Sequence, residues 1–251
     1  MRSDIDIKKF KTLDSTNHYA SALVRESRPP EGTVVIAEEQ TEGKGMEEST
    51  WESEAGKNLT FSVILYPDFL NPSRQFFLNI ITSLAARDMV KILVPEGDIR
   101  IKWPNDIYYH HKKLGGILIK NQVSGPMLQS SIIGVGLNLN QENFFSDAPN
   151  PVSVKMITGK SNDVLTSLKI FREIFDEYYR RLGYGEYDQL LREYIQGMYR
   201  FGEELEYIIM GHHVVGTISG IDEFGRLLVS TSDSVIPCQV KEIKFPLAPP
   251  A

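Results

Sequence analysis

The sequence has almost no cysteine, no long apolar run and no excess of basic residues. Cys238 is the only cysteine among 251 residues, so no intrachain disulfide can form and a reducing compartment is expected. No run of about 18 apolar residues is present, which excludes a membrane-spanning helix. Lys and Arg number 27 against 33 Asp and Glu, and this net charge of −6 disfavours general nucleic-acid binding. Residues 1–11 lack the apolar core of a secretory signal, so a cytoplasmic protein without membrane attachment is expected.

The order of the apolar patterns predicts an α+β fold. Short runs rich in β-branched and other apolar residues predict strands, and the polar turns between several of them are short, which favours a largely antiparallel sheet. One-sided apolar stripes predict helices, and Ser15-Thr16-Asn17 is typical of the capped start of another helix. The predicted strands are 33–37, 59–66, 98–103, 114–120 and 129–134, and the striped helices start near 72, 164 and 187.

After about residue 197 the pattern changes to short apolar segments separated by tight turns. Four such segments, 205–209, 213–219, 227–230 and 235–240, predict a small β barrel of roughly 50 residues. A unit of this size is expected to pack on the rest of the protein. We therefore divide the chain into a main domain, 1–196, and a C-terminal β-barrel domain, 197–251.

Two segments of the main domain bring charged groups and amides to apolar strands. In 102–106 (KWPND) a strand ends at a Trp-Pro turn, from which Asn105 and Asp106 emerge. This pair is able to bind Mg²⁺ or orient a nucleophile, although it is also common in ordinary turns. In 113–118 (KLGGIL) Lys113 precedes two glycines inside a strand. Glycines there indicate close approach to the backbone, and the lysine is able to hold a carboxylate or a phosphate.

Two glycine-containing segments are weaker signals. Gly43-Lys44-Gly45 follows a strand and is able to bring backbone N–H groups to a phosphate, but a flexible polar loop fits it equally well. Asn138 follows Gly134 and Gly136 at the end of an apolar run, where it either reaches a nucleotide or metal or lies in a turn. With one cysteine and no His ligand spacing, a zinc site is not expected.

Taken in order, these motifs resemble those of the biotin–protein ligases, over essentially the whole chain. The most specific part is Lys-Trp-Pro-Asn-Asp followed, at the family's spacing, by Lys-Leu-Gly-Gly-Ile. The resemblance implies a class II synthetase-like domain and an SH3-like C-terminal barrel. Since its first motif begins at Ser15, it implies the monofunctional class without a DNA-binding domain. The other matching segments are Ser15-Thr16-Asn17, Gln40-Thr41, Gly43-x-Gly45 with Trp51, Asn58-Leu59 and Gly134-x-Gly136-x-Asn138.

The resemblance implies an enzyme that activates biotin with ATP as biotinyl-5′-AMP and transfers it to a lysine of a biotin carboxyl carrier domain. It implies catalytic roles for Lys113 and Asp106, and Mg²⁺ binding by Asp106 and Asn138. Homodimers are common in the family and are a further expectation. The implied nucleotide contacts are Lys44, Gly45, Asn58, Lys102, Asn105 and Asn138. The implied biotin contacts are Ser15, Thr16, Asn17, Gln40, Gly43, Trp51, Lys113, Gly115, Gly116 and Leu118.

The loop from Gly43 to Trp51 departs from the family pattern. Lys44 replaces an arginine, Met46 stands where a second arginine is expected, and Glu48 stands where a glycine is expected. Arg to Lys loses a planar fork for phosphate, and Arg to Met loses the charge. Glu42, Glu47 and Glu48 surround the remaining cation. We expect weaker retention of the adenylate, unless Lys57 compensates.

Two other functions remain open from the sequence. A lipoate or octanoate ligase or transferase resembles this fold and also uses a lysine, but the motif spacing and the Trp51 loop favour biotin. The other alternative is a binding protein without catalytic activity, a sensor of biotin or a nucleotide. The altered loop between Gly43 and Trp51 favours this alternative. Turnover of ATP with biotin separates the enzyme from the sensor.

Overall fold

The computed structural model describes residues 6–46, 49–145 and 150–246, and these form two β-sheets with five α-helices. The first part contains β1 (Ile7–Leu13), α1 (Thr16–Ser27), β2 (Val34–Gln40), β3 (Leu59–Leu65), α2 (Phe76–Leu93), β4 (Ile99–Lys102), β5 (Asp106–Tyr109), β6 (Lys112–Ser124), β7 (Met127–Leu137), α3 (Val154–Thr158), α4 (Val164–Gly183) and α5 (Tyr187–Gln196). The second part contains β8 (Glu204–Ile209), β9 (His212–Ile221), β10 (Leu227–Ser230), β11 (Val235–Cys238) and β12 (Ile243–Lys244).

The large sheet has the strand order β1-β2-β3-β7-β6-β5-β4. Every adjacent pair is antiparallel except β1 and β2, so the predicted α+β fold with a largely antiparallel sheet is confirmed. The sequence analysis missed β1, β5, α3 and β12. Strand β1 (IKKFKTL) carries three lysines, a composition typical of an edge strand and poor in the continuous apolar run that marks the central strands.

The helices cover the two faces of this sheet unequally. Helices α2, α4 and α5 pack on one face and form the main core. Helix α1 lies on the other face, where Ala20 packs against Val35, Ile64 and Ile132. Because side chains alternate along a strand, the positions that continue this face of β3 and β7 are 60, 62, 134 and 136. These positions are polar or glycine, and the face beyond α1 is therefore open to a ligand.

The C-terminal strands form a five-stranded antiparallel sheet in the order β11-β10-β9-β8-β12, which confirms the predicted small β unit. This small sheet packs directly on the first part of the chain, against the turn after β4 and the start of α2. Trp103 Nε1 donates to Gly225 O at 3.0 Å, and a Cβ on Gly225 would lie 2.4 Å from Phe76 Cγ. The predicted boundary between residues 196 and 197 coincides with the end of α5. In the described parts of the chain, no helix is long and apolar enough to cross a membrane.

Candidate functional site

A cavity of about 480 Å³ lies on the open face of the large sheet. Its floor follows one row across five neighbouring strands. In the strand register Thr60 pairs with Gly136, Gly136 with Gly116, Gly116 with Asp106, and Asp106 with Lys102. Along this row the floor presents the hydroxyl of Thr60, then two glycines, then the carboxylate of Asp106 and the amine of Lys102.

Two glycines of β7 make room for side chains that enter from above the sheet. A Cβ on Gly136 would lie 2.5 Å from Cε2 of Trp51, and a Cβ on Gly134 would lie 2.6 Å from both amide atoms of Asn17. Trp51 therefore rests directly on the strand backbone. Its indole Nε1 is buried and has no hydrogen-bond partner among the described residues.

One end of the cavity is built by the first turn of α1. Ser15 caps this helix with its backbone, since its side chain makes no capping hydrogen bond and instead lines the cavity. Thr16 Oγ1 and Asn17 Oδ1 lie 2.8 and 2.7 Å from Ser62 Oγ. Asn17 Nδ2 donates to Leu118 O at 3.0 Å. This end is a set of polar groups that are held in place by one another.

Gln40 extends the same polar set from the end of β2. Its Oε1 accepts the backbone N–H of Thr16 at 2.7 Å, so its carboxamide is fixed against the first helical turn. Gln40 lines the cavity, and the amide NH₂ is the group left for a ligand.

The other end of the cavity contains an ion pair. Lys113 Nζ lies 2.7 Å from Asp106 Oδ1, and both side chains are about a quarter exposed. The pairing of β5 with β6 shifts register between Ile107 and Tyr108, because Ile107 faces Gly115 and Tyr108 faces Lys113. This bulge brings Lys113, three residues before Gly116, to the same face as that glycine. A Cβ on Gly116 would lie 3.7 Å from Lys113 Nζ.

Lys102 adds a second amine beside this ion pair. It is partly buried, its Nζ donates to Tyr108 Oη at 3.2 Å, and the same Nζ lies 5.1 Å from the ring centre of Phe245. Burial lowers the pKa of Lys102, and the Asp106 carboxylate opposes this shift. Phe245 follows β12, so both sheets contribute to this end of the cavity.

Lys102→Met is expected to raise the free energy of unfolding at neutral pH by up to about 1 kcal/mol, since no charge is then buried. In the wild type, burial of the charged Lys102 amine lowers the free energy of unfolding, and this cost is complete below the lowered pKa of Lys102. The cost disappears as the pH rises through that pKa towards the usual value of 10.5. The stability difference should therefore shrink in alkaline solution. Urea unfolding across this pH range measures it, and a variant that is less stable at neutral pH contradicts the expectation.

The loop with the unusual sequence lies at the rim. Lys44, Gly45 and Met46 line the cavity. The backbone of Lys44 pairs with that of Thr50 in an isolated antiparallel β-bridge. Trp51 N donates to Gly43 O at 2.9 Å, which closes the loop. Glu47 and Glu48, on which part of the loop prediction rests, lie outside the described residues. Lys57, the proposed compensating cation, is exposed and does not line this cavity.

Most of the predicted site residues meet in this cavity, and four do not line it. Asn105 supports the turn: its Nδ2 donates to Ile117 O. The peptide bond between Trp103 and Pro104, in the same turn, is cis. The predicted residues that line the cavity are Ser15, Thr16, Asn17, Gln40, Lys44, Gly45, Trp51, Lys102, Asn105, Asp106, Lys113, Gly116 and Leu118; those that do not are Gly43, Asn58, Gly115 and Asn138.

The four predicted residues outside the lining have contacts of their own. A Cβ on Gly43 would lie 2.5 Å from Trp51 O, and one on Gly115 would lie 2.4 Å from Leu137 Cδ2, so both glycines permit close packing. Asn58 Nδ2 donates to Gln141 Oε1 at 2.6 Å. Asn138 Nδ2 donates to Val152 O at 3.2 Å, while its buried Oδ1 has no partner among the described residues. Their predicted ligand contacts stay predictions.

The sequence analysis missed several residues of the lining or its immediate support. Thr60 and Ser62 alternate with apolar residues in a strand that is buried throughout, and this alternation was the available signal. The missed residues from the C-terminal unit carried no such signal, because only the packing of the two sheets brings them to the cavity: Val240, Ile243, Lys244 and Phe245.

A metal site made of protein side chains alone is absent from the described residues, since no three His, Cys, Asp or Glu side chains cluster there. Asp106 is a carboxylate in the cavity lining, and Asn138 Oδ1 is a buried oxygen without a partner in the described chain. One carboxylate fits the way proteins commonly hold Mg²⁺, in which substrate phosphates and waters supply most ligands.

Comparison with known proteins agrees with this geometry. Residues 9–138 match the model of the biotin/lipoate A/B protein ligase family. Over 232 residues the chain is 32% identical to the bifunctional ligase/repressor BirA of Bacillus subtilis, covering 89% of this chain and 69% of that protein. It is 28% identical over 221 residues to the biotin–[acetyl-CoA-carboxylase] ligase of Paracoccus denitrificans, covering 86% and 90%.

Among solved structures, the biotin protein ligase from Aquifex aeolicus in complex with biotin and ATP has the same fold. The TM-score is 0.80 at 23% sequence identity, and the match covers 97% of this chain and 99% of that one. This likeness confirms the predicted fold, including the small C-terminal β unit.

Proposed function

Because the chain belongs to the biotin/lipoate A/B protein ligase family, we propose that it is a biotin–protein ligase. It activates biotin with ATP and transfers the biotinyl group to a lysine of a biotin carboxyl carrier domain. The names of its relatives, with biotin as the acid and acetyl-CoA carboxylase as the enzyme modified, support this choice. The proposal includes a cytoplasmic location.

The arrangement of the cavity is the observation that carries the proposal. A polar set at Thr16 and Asn17 lies over β3 and β7, and the amine of Lys113 lies over β6 and β5. Two or three strand spacings, roughly 10 to 14 Å, separate these ends. Between them lie bare glycine backbone and the Trp51 ring. A cyclic urea at one end, an apolar chain over the floor and a carboxylate at the other end match this order.

The first half-reaction follows from the charges at the Lys113 end. The biotin carboxylate attacks the α-phosphorus of ATP, a bond forms between carboxylate oxygen and phosphorus, and pyrophosphate leaves. Lys113 Nζ neutralises the carboxylate and the α-phosphate as they approach, and stabilises the charge that develops at phosphorus. Lys102 supplies a second amine on β4, two strands away from Lys113. Lys102 is placed to hold the phosphates, together with Lys44 and Gly45 at the rim of the cavity.

The second half-reaction uses the carboxylate of the same ion pair. The amine of the acceptor lysine attacks the carbonyl carbon of biotinyl-5′-AMP, and AMP leaves as the amide bond forms. Asp106 accepts the proton lost by the amine, and the ion pair with its neighbour Lys113 holds the carboxylate in place for that role. Asp106, with Asn138 as the second proposed ligand, would hold Mg²⁺, and the ion would supply further positive charge at the phosphates.

The test of the proposal is biotin-dependent exchange of labelled pyrophosphate into ATP, with lipoate and octanoate as parallel acids. Exchange with biotin alone supports the ligase. Exchange with lipoate or octanoate instead assigns the chain to the sister activity of its family. Binding of biotin without exchange by any acid, from folded protein, assigns it to the sensor class.

Met46→Arg is expected to slow the release of biotinyl-5′-AMP about three- to tenfold, because a guanidinium at the rim adds a charge-assisted hydrogen bond to the phosphate. Rapid filtration of enzyme loaded with labelled biotin and ATP measures the release rate. Met46→Gln, which adds a polar group without charge, is the matched control and should release the adenylate nearly as fast as the wild type. Equal release from Met46→Arg and wild type contradicts the expectation.

A further inference from the structure

We infer that Ser62, a buried serine of β3, makes the biotin head site selective for a ligand N–H by fixing the direction of its hydrogen bonds. The inference rests on the proposed function and deepens it. Ser62 is 0% exposed, so it acts through Thr16 and is a positioning residue.

The direction of the hydrogen bonds follows from a backbone carbonyl. Leu118 O can only accept, so the atom of Asn17 that lies 3.0 Å from it is the NH₂ group. The other amide atom of Asn17 is therefore its oxygen, which also can only accept. This oxygen lies 2.7 Å from Ser62 Oγ. The single proton of the Ser62 hydroxyl is thus committed to Asn17.

The same reasoning carries one step further, to the cavity wall. Thr16 Oγ1 lies 2.8 Å from Ser62 Oγ, and Ser62 has no second proton to donate. Thr16 must therefore donate its own proton to Ser62. Thr16 lines the cavity, so only the lone pairs of its hydroxyl are left for a ligand. Thr16 is an acceptor in this site, although a hydroxyl ordinarily serves as donor or acceptor.

The neighbouring carboxamide has the opposite polarity. Gln40 Oε1 accepts the Thr16 backbone N–H at 2.7 Å, which leaves the Gln40 NH₂ group as a donor. An acceptor and a donor next to each other complement the adjacent N–H and C=O of a cyclic urea. The dithiolane head of lipoate has neither group. The series of hydrogen bonds from Leu118 through Asn17 and Ser62 to Thr16 therefore distinguishes biotin from lipoate at the head of the ligand.

The test compares biotin with its two cyclic-carbamate analogues, in each of which one ureido N–H is replaced by oxygen. Pyrophosphate exchange gives the ratio of kcat/KM for biotin to that for each analogue. In the wild type we expect one analogue to be disfavoured about a hundredfold or more, because ring oxygen and Thr16 Oγ1 then both present lone pairs. In Ser62→Ala the Thr16 hydroxyl loses its acceptor, so it is able to rotate and donate its proton to the ring oxygen of the analogue. The ratio for that analogue should fall about tenfold.

Two further variants separate this role from a general structural one. Ser131→Ala is the matched control, because Ser131 is equally buried on the adjacent β7 and its Oγ has no partner in the described chain. It should leave the ratio unchanged. In a Thr16→Val background, Ser62→Ala should change the ratio less than twofold, because Ser62 acts through the Thr16 hydroxyl. Thermal unfolding of each variant verifies that it is folded.

The outcomes are distinct. If wild type exchanges with biotin but Ser62→Ala lowers kcat/KM equally for biotin and analogue, or the two substitutions act independently, the inference is overturned and the ligase proposal stands. If folded wild type shows no exchange with biotin, the ligase proposal fails and the inference fails with it. A selective, non-additive loss of discrimination in Ser62→Ala supports both.

Discussion

Lys113→Met should lower kcat/KM for biotin-dependent pyrophosphate exchange by about a hundredfold to a thousandfold. The methionine has nearly the same length as lysine but no charge, so the attack of one anion on another loses the cation between them. Loss of the 2.7 Å ion pair also removes the cation in direct contact with Asp106, near the incoming carboxylate. The exchange assay at saturating ATP measures the effect.

Lys112→Met is the matched control for this prediction. Lys112 is the adjacent residue of β6, but it is exposed and does not line the cavity. Its replacement should change exchange less than twofold. Lys113→Arg keeps the charge on a larger, planar group and should recover only part of the activity. A Lys113→Met enzyme that retained more than a tenth of wild-type exchange would refute the assigned role.

Gly136→Ala should weaken biotin binding by about fivefold to a hundredfold. The added methyl group would lie 2.5 Å from Cε2 and 2.7 Å from Cζ2 of Trp51, so the indole has to move away from the strand. Overpacking of this kind costs about 1–3 kcal/mol, and here the displaced ring forms the wall of the cavity. Isothermal titration with biotin in the absence of ATP measures the loss.

Gly183→Ala is the control for a glycine-to-alanine change outside the cavity. Gly183 ends α4, and the nearest atom to a Cβ there is Phe69 Cζ at 4.0 Å. We expect unchanged biotin affinity and a small gain in stability, because alanine has the higher helix propensity. If Gly136→Ala binds biotin as tightly as Gly183→Ala does, Trp51 does not form part of the biotin pocket.

Much of the fold was predictable from local patterns. Strands β3 and β7 are central and buried on both faces, so their apolar runs were visible without any knowledge of their partners. Helix α4 showed an apolar stripe because only one side of it packs on the core. The missed strand β5 (DIYY) is four residues long and begins at Asp106, which the sequence analysis placed next to a Trp-Pro turn. Short elements with polar ends leave too few periods for a pattern to be detected.

The candidate site was predictable in its residue types and only partly in its geometry. The resemblance to the biotin–protein ligases implied thirteen residues that line the cavity. The residue pattern alone pointed to only part of this set, because glycine and lysine in apolar strands are unusual. They did not reveal the bulge in β6 that turns Lys113 towards Gly116. A bulge depends on how two strands pair, and that pairing is a property of the folded sheet.

By itself, the sequence determined the order of the longer patterned elements, the polar and apolar pattern of their strands, and the motifs that identify the family. These are local properties, because propensity and patterning act over a few neighbouring residues. The tertiary structure alone decided which residues share the cavity. Ser62 and Leu118 are 56 positions apart, yet Asn17 joins them. Phe245 reaches Lys102 from the second sheet. Such contacts depend on strand register and on the packing of the two sheets, which only the folded chain specifies.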